Sequence, residues 1–196
     1  MTKLLKLSTL MLIIFIFTLQ VFADNITHND KKKQQLNETA KFIAGKPINQ
    51  NSKLYRYTRT KSYKIYKRHI RKLWNKFYTQ KLKKIEKWRY SHIPADYTET
   101  VFYPFSGPDI TNPLAFFPKA KDYIMIGLES PGEVPNPYVL NWRQKNYRLW
   151  QVRKALRTLL RINFFRTKEM WQDIKRNSFS SLTGILMFFL SSYNYE

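Results

Sequence analysis

The stretch TVFYPFSGPDITNPLAFFPKAKDYIMIGLE, Thr100–Glu129, has the local order of a strand, a turn-rich loop, a helix and a second strand. Val101–Tyr103 is an apolar run of β-branched and aromatic residues, the types that suit a half-buried pleated surface. It enters the loop Pro104-Phe105-Ser106-Gly107-Pro108-Asp109, and Tyr123–Leu128 is a second strand-like run that ends on Glu129. Between them, Asn112 before Pro113 reads as an N-cap followed by proline at the first helical position. The fold expectation is therefore a helix-rich α/β chain: N-terminal helices, a central βαβ-like unit with few strands, then C-terminal helices.

Loops that follow strands commonly carry binding groups. In the Tyr103–Asp109 loop Ser106 is the candidate nucleophile, with Asp109 or Glu129 as acid or base, which would make a small hydrolase or transferase. A serine nucleophile needs a base, however, and no pattern ties His28, His69 or His92 to this loop. Ser106, Gly107 and Pro108 also read as a tight turn, with Asp109 accepting backbone hydrogen bonds there. The order strand, glycine loop, helix, strand, acid is that of a dinucleotide-binding unit, and Gly107 and Glu129 stand near the roughly 20-residue separation such units use. A single loop glycine flanked by prolines speaks against it, and no cofactor is expected. The acids Asp96, Glu99, Asp109, Asp122, Glu129 and Glu133 show no spacing that selects a metal-binding subset, so no metal is expected either.

Toward the N-terminus, Lys3 and Lys6 precede an apolar run from Leu7 to Phe17, and Val21-Phe22-Ala23 follows with a small residue last. This is the pattern of a secretory signal peptide over residues 1–23, with cleavage after Ala23. The alternative is an uncleaved inner-membrane anchor, for which a run interrupted by Ser8, Thr9, Thr18 and Gln20 is short against the about 20 apolar residues of a span. The chain is accordingly expected to be exported, to the periplasm or outside the cell. It has no cysteine, which excludes disulfides, thiolate metal sites and a lipid-modified cysteine. Residues 24–52 read as a polar segment with a short helix at Leu36–Ala44, stopped by Gly45 and Pro47, and residues 53–196 as one basic domain.

The charge is lopsided. Lys and Arg number 35 against 13 Asp and Glu, a formal +22, and loss of Lys3 and Lys6 with the leader leaves +20. A/T-rich coding would favour Glu as well as Lys, so coding bias does not explain the excess, which asks for an anionic partner or environment. Glu86 is the only acid from Lys41 to Ala95, and none lies between Glu133 and Glu169. Both segments are helical by pattern. Ile70, Leu73, Trp74, Phe77, Lys81, Ile85 and Trp88 recur at three- and four-residue steps, opposite Lys72, Lys76, Lys83 and Lys87. Leu149, Val152, Leu156, Leu159, Leu160 and Asn163 recur in the same way in the second segment, where a helix is expected over Tyr138–Ile162. A cationic face of this kind is either simply solvated or meets an anionic surface, such as phospholipid headgroups or an envelope polymer. Nucleic acid is a lesser candidate: Tyr55, Tyr57, Tyr63, Tyr66 and Trp74 interleave with the cations, but no nucleic-acid-binding motif is present. The candidate anion-binding residues are Lys72, Lys76, Lys83, Lys84, Lys87, Arg153 and Arg157.

The first helix is expected to begin at Leu54 or Ser62 and to run through Tyr90, with Pro94 ending it. Ser130–Pro137 carries three prolines and reads as an extended loop, and a further helix is expected at Thr167–Arg176. Leu182–Leu190 is apolar all round and too short to span a bilayer; it is either the core helix that closes the fold or a segment that more polypeptide should follow. Val101–Asp109, Phe116-Phe117-Pro118, Tyr123–Glu129, Asn163–Met170 and Gly184-Ile185-Leu186 together resemble an uncharacterised family of exported bacterial proteins and lipoproteins. The resemblance implies no activity. It implies length, since relatives continue past the counterpart of Leu190 with further strand-like segments, so that this chain looks shortened at its C-terminus.

Overall fold

The computed structural model describes residues 29–93, 99–105, 107–128, 130–160 and 178–194. The expected leader and its expected cleavage site, Ser106, Glu129, Pro94 and the helix expected at Thr167–Arg176 lie outside the described residues. The chain divides into two units, Met1–Glu38 and Thr39–Glu196. Of the first, residues 29–38 are described and are helical, the start of helix α1 over 29–43. The second unit holds the core. It begins before residue 53, because Thr39, Phe42 and Ile43, in the stretch read as a polar segment, are buried there.

Helix α1 ends in a Schellman turn. Gly45 sits at φ +69° and donates to Phe42 O at 3.3 Å, while Lys46 donates from its backbone to Lys41 O at 2.9 Å. The last carbonyls of α1 would still face apolar surroundings. Two tyrosines of helix α3 (Lys61–Phe77) answer them: Tyr63 Oη donates to Phe42 O at 2.8 Å and Tyr66 Oη to Ile43 O at 2.5 Å. The Phe42 and Tyr63 rings stack at 5.0 Å, and Tyr57, from the short helix α2 (Tyr55–Thr58), meets both. Thr60 caps α3 by accepting from Tyr63 N, which places the start of the long basic helix at Lys61.

Lys61 to His92 is one helical run with a joint in it. After α3 comes a π turn, Tyr78–Leu82, and then α4, Lys83–His92. The π turn takes one residue more than an α turn, so every later side chain is rotated relative to a straight helix. Tyr63, Tyr66, Ile70 and Phe77 are buried as the 3.6-residue period requires, but the next core residue is Leu82, and Ile85 and Arg89 continue the line. The stripe expected through Lys81 and Trp88 is thereby corrected. Trp88 is half exposed, stacked on His92 at 4.5 Å.

The centre of the chain forms the βαβ unit. Strands β1 (Thr100–Phe105) and β2 (Asp122–Gly127) pair in parallel, in register from Thr100 opposite Asp122 to Phe105 opposite Gly127. Val101 and Phe105 turn into the core with Tyr103 and Met125 beside them, while Phe102, Ile124 and Ile126 alternate onto the exposed face. The crossover is a 3₁₀ turn, Gly107–Ile110, running without a break into helix α5 (Thr111–Phe116). Asn112 is therefore inside the helix and not its cap; its amide donates to Tyr103 Oη at 3.3 Å.

Helix α6 (Trp142–Leu159) opens with a capping box in which Asn141 and Gln144 exchange side-chain bonds at 2.9 Å. The residues before it, Pro137–Val139, form a separate 3₁₀ turn, so α6 begins later than Tyr138. Leu149, Val152, Leu156 and Leu159 are buried as their spacing predicts. Helix α7 (Leu182–Ser192) lies in the core: Phe188 and Phe189 are fully buried and Trp74 meets both. The prolyl loop is tied to its start, since Thr183 N bonds Pro131 O at 3.0 Å and Ser181 Oγ, the α7 N-cap, donates to Glu133 O at 3.0 Å. Lys46 closes its other end, with Nζ on Ser191 O and on Asn194 Oδ1 at 2.6 Å, a cation at a helix C-terminus.

Candidate functional site: a cationic groove between two helices

Helix α3 packs on α6, and residues of both helices line an open groove of about 920 Å³. Its first wall is built by helical spacing. His69, Lys72, Leu73, Lys76, Phe77 and Gln80 recur at three- and four-residue steps along α3 and into the π turn, which adds Lys81, and Lys84 follows at the start of α4. Its second wall is Arg153 and Arg157 on α6 and Leu160 at its C-cap, at steps of four and three. Among the described residues, the groove lining carries six cationic side chains and no acidic one, over an apolar lining of Leu73, Phe77 and Leu160.

The two walls are joined across the groove. Arg153 Nη1 donates to His69 Nδ1 at 3.1 Å, which places the imidazole proton on Nε2. Arginine beside a neutral imidazole leaves its charge uncompensated. Lys81 Nζ lies 5.8 Å from the Phe77 ring centroid, and partial burial lowers its pKa from the ordinary lysine value. The like charges of Lys72, Lys76, Lys84, Arg153 and Arg157 along facing walls repel one another, and an anion between them would relieve that repulsion. Arginine presents a planar fork suited to phosphate or carboxylate oxygens, and lysine a compact point charge.

Of the residues named from sequence, Lys72, Lys76, Lys84, Arg153 and Arg157 come together here. Lys83 and Lys87 are exposed on α4 and are not part of the lining. His69, Gln80 and Lys81 escaped sequence reasoning. Not every cation of the basic segments is available: Lys145, on the inner side of α6, bonds Leu140 O and is buried against Tyr57, which lowers its pKa. Glu86, the one acid of the first basic segment, accepts from Tyr78 Oη at 3.1 Å.

In the other candidate loop, Asp109 is half-buried in the 3₁₀ turn that leads into α5. Among the described residues, no group of three or more His, Cys, Asp or Glu side chains could hold a metal ion. No described helix is long and apolar enough to cross a membrane. No protein-family model, curated protein or solved structure matches this chain.

Proposed function

We propose that this chain is an exported protein that binds an anionic component of the cell envelope in the groove between α3–α4 and α6, by binding and not by chemistry. The observation that carries this reading is the groove itself: Lys72, Lys76, Lys81, Lys84, Arg153 and Arg157 on two facing walls, with no acid in the lining among the described residues. A solvated helix face would have no need to set its cations opposite those of another helix, where each raises the electrostatic cost of the next. Export is supported by Lys3, Lys6, the Leu7–Phe17 run and Ala23, and predicts that the chain recovered outside the cytoplasm begins at Asp24.

Inorganic polyphosphate is a suitable probe, because it offers closely spaced anions and no rings or acyl chains. Binding should weaken with salt, and Lys76→Gln and Arg153→Gln should each lower the slope of log Kd against log salt concentration by about 1. Lys83→Gln, on the same helical run but outside the groove, should bind as tightly as the parent at a given salt to within about twofold. Equal losses for Lys83→Gln and Lys76→Gln would reduce the effect to net charge and refute the groove.

A further inference from the structure

Along the outward face of α6, opposite Leu149, Val152 and Leu156, run Arg143, Tyr147, Trp150 and Lys154 at steps of four, three and four. Tyr147 is 56% exposed and Trp150 50%, far more than core packing leaves to such rings, and Trp142 at the start of the same helix is 53% exposed. The line is continuous with the groove, since Arg157 follows Lys154 by three residues and belongs to the groove wall. Large rings held half in water need a partner for their apolar bodies. The charges around them say of which sign.

We propose that this face of α6 seats on the headgroup region of an anionic phospholipid bilayer, with Tyr147 and Trp150 entering the interface and Arg143 and Lys154 meeting lipid phosphates. The inference draws on the same cationic excess as the proposed anion binding, but rests on different side chains. Tyrosine and tryptophan combine an apolar ring with one polar edge, and so settle where hydrocarbon meets headgroup. Lysine and arginine beside them place their charges at the level of the phosphates while their stems cover apolar surface. The rings are also already partnered with each other: Tyr147 and Trp150 stack at 6.0 Å with planes 21° apart. A stacked pair uses two of its four ring faces internally, which suits burial as one wedge better than the receipt of single bases or sugar rings between open faces.

The test uses the full chain and vesicles of phosphatidylcholine with and without phosphatidylglycerol. Binding should require phosphatidylglycerol, and tryptophan emission should shift to the blue and be quenched by lipids brominated near the headgroup. Tyr147→Ser with Trp150→Ser should weaken vesicle binding by about tenfold or more, while polyphosphate binding in the groove stays as in the parent. Lys76→Gln with Arg153→Gln should do the reverse to polyphosphate, so that a failure of the groove and a failure of the stripe are read separately. Unchanged vesicle binding in the aromatic double variant would overturn the proposal. So would binding that ignores the phosphatidylglycerol content, or loss in that variant of self-association or of single-stranded DNA binding in place of vesicle binding. Quenching in the parent chain keeps the test decisive should the double variant fold poorly.

Discussion

Gly132 leaves less room for a side chain than Gly45, and Gly132→Ala is a perturbation whose cost can be worked from the structure. Its φ of +66° lies in the left-handed region, where a Cβ costs about 1–2 kcal/mol. The added Cβ would stand 2.6 Å from Ser181 Cβ, far inside ordinary contact, so the loop and the helix start must part. Ser181 is the N-cap of α7, and loosening a cap costs about 0.5–2 kcal/mol. The sum is about 2–4 kcal/mol, or roughly 4–16 °C in Tm for a unit of this size. Gly45→Ala is the control. It shares the left-handed backbone, at φ +69°, but its Cβ would meet Lys67 Cγ at 3.3 Å, a flexible stem that can give way. Thermal unfolding followed by far-UV circular dichroism should therefore rank Gly132→Ala well below Gly45→Ala. On a Ser181→Gly background the extra cost of Gly132→Ala should vanish, leaving the backbone part alone. Equal Tm losses for the two glycine variants, or additivity with Ser181→Gly, would refute the argument that the prolyl loop is locked against α7.

Alkaline pH should unfold the protein from the tyrosine cluster outward. Burial pushes Tyr57 up to about 12 and holds Tyr63 and Tyr66 higher still, so the unfolded chain releases protons above about pH 10 while the folded one keeps them. Their contribution is fully present below about pH 10 and is lost as pH rises, for Tyr57 by about pH 12; urea midpoints that stay flat over that range would count against it. The π turn sets a second test: Leu82→Ala should cost about 2–5 kcal/mol, as a fully buried leucine does, while Lys81→Ala should cost under about 0.5 kcal/mol. Chemical denaturation in which Lys81→Ala is the costlier would restore the uninterrupted stripe.

The βαβ unit was legible because its order is local. Two apolar runs, a turn-rich connection and a short helix follow one another within one stretch, and the parallel pairing of β1 with β2 joins residues 22 positions apart throughout. Which face of β1 turns inward was not legible, since Val101, Phe102 and Tyr103 are all suited to burial and only packing selects Val101 and leaves Phe102 exposed. The helix start at Asn112 failed for a related reason. A 3₁₀ turn feeds directly into α5, so its first turn needs no side-chain cap, and the Asn-Pro pair sits two residues too late to serve as one, the cap position being Ile110.

The groove shows where local pattern stops. Periodicity placed Lys72 and Lys76 on one side of their helix, and Arg153 and Arg157 on one side of theirs, but nothing local says that the two sides face each other. That follows from α3 lying against α6, with Ile70, Leu149, Val152 and Leu156 in one buried core cluster. His69 gains a role only from Arg153, 84 positions away. The π turn then decides which lysines join. A straight helix through Phe77 would carry Lys81 into the core and Leu82 out; one extra residue in the turn reverses them, giving the core a leucine and the groove a fourth lysine. No propensity argument marks Tyr78–Leu82 for that insertion. The preference is global, because burying Lys81 would take an ammonium group out of water, whereas one widened turn exchanges it for a leucine side chain at the cost of strained hydrogen bonds over a single turn.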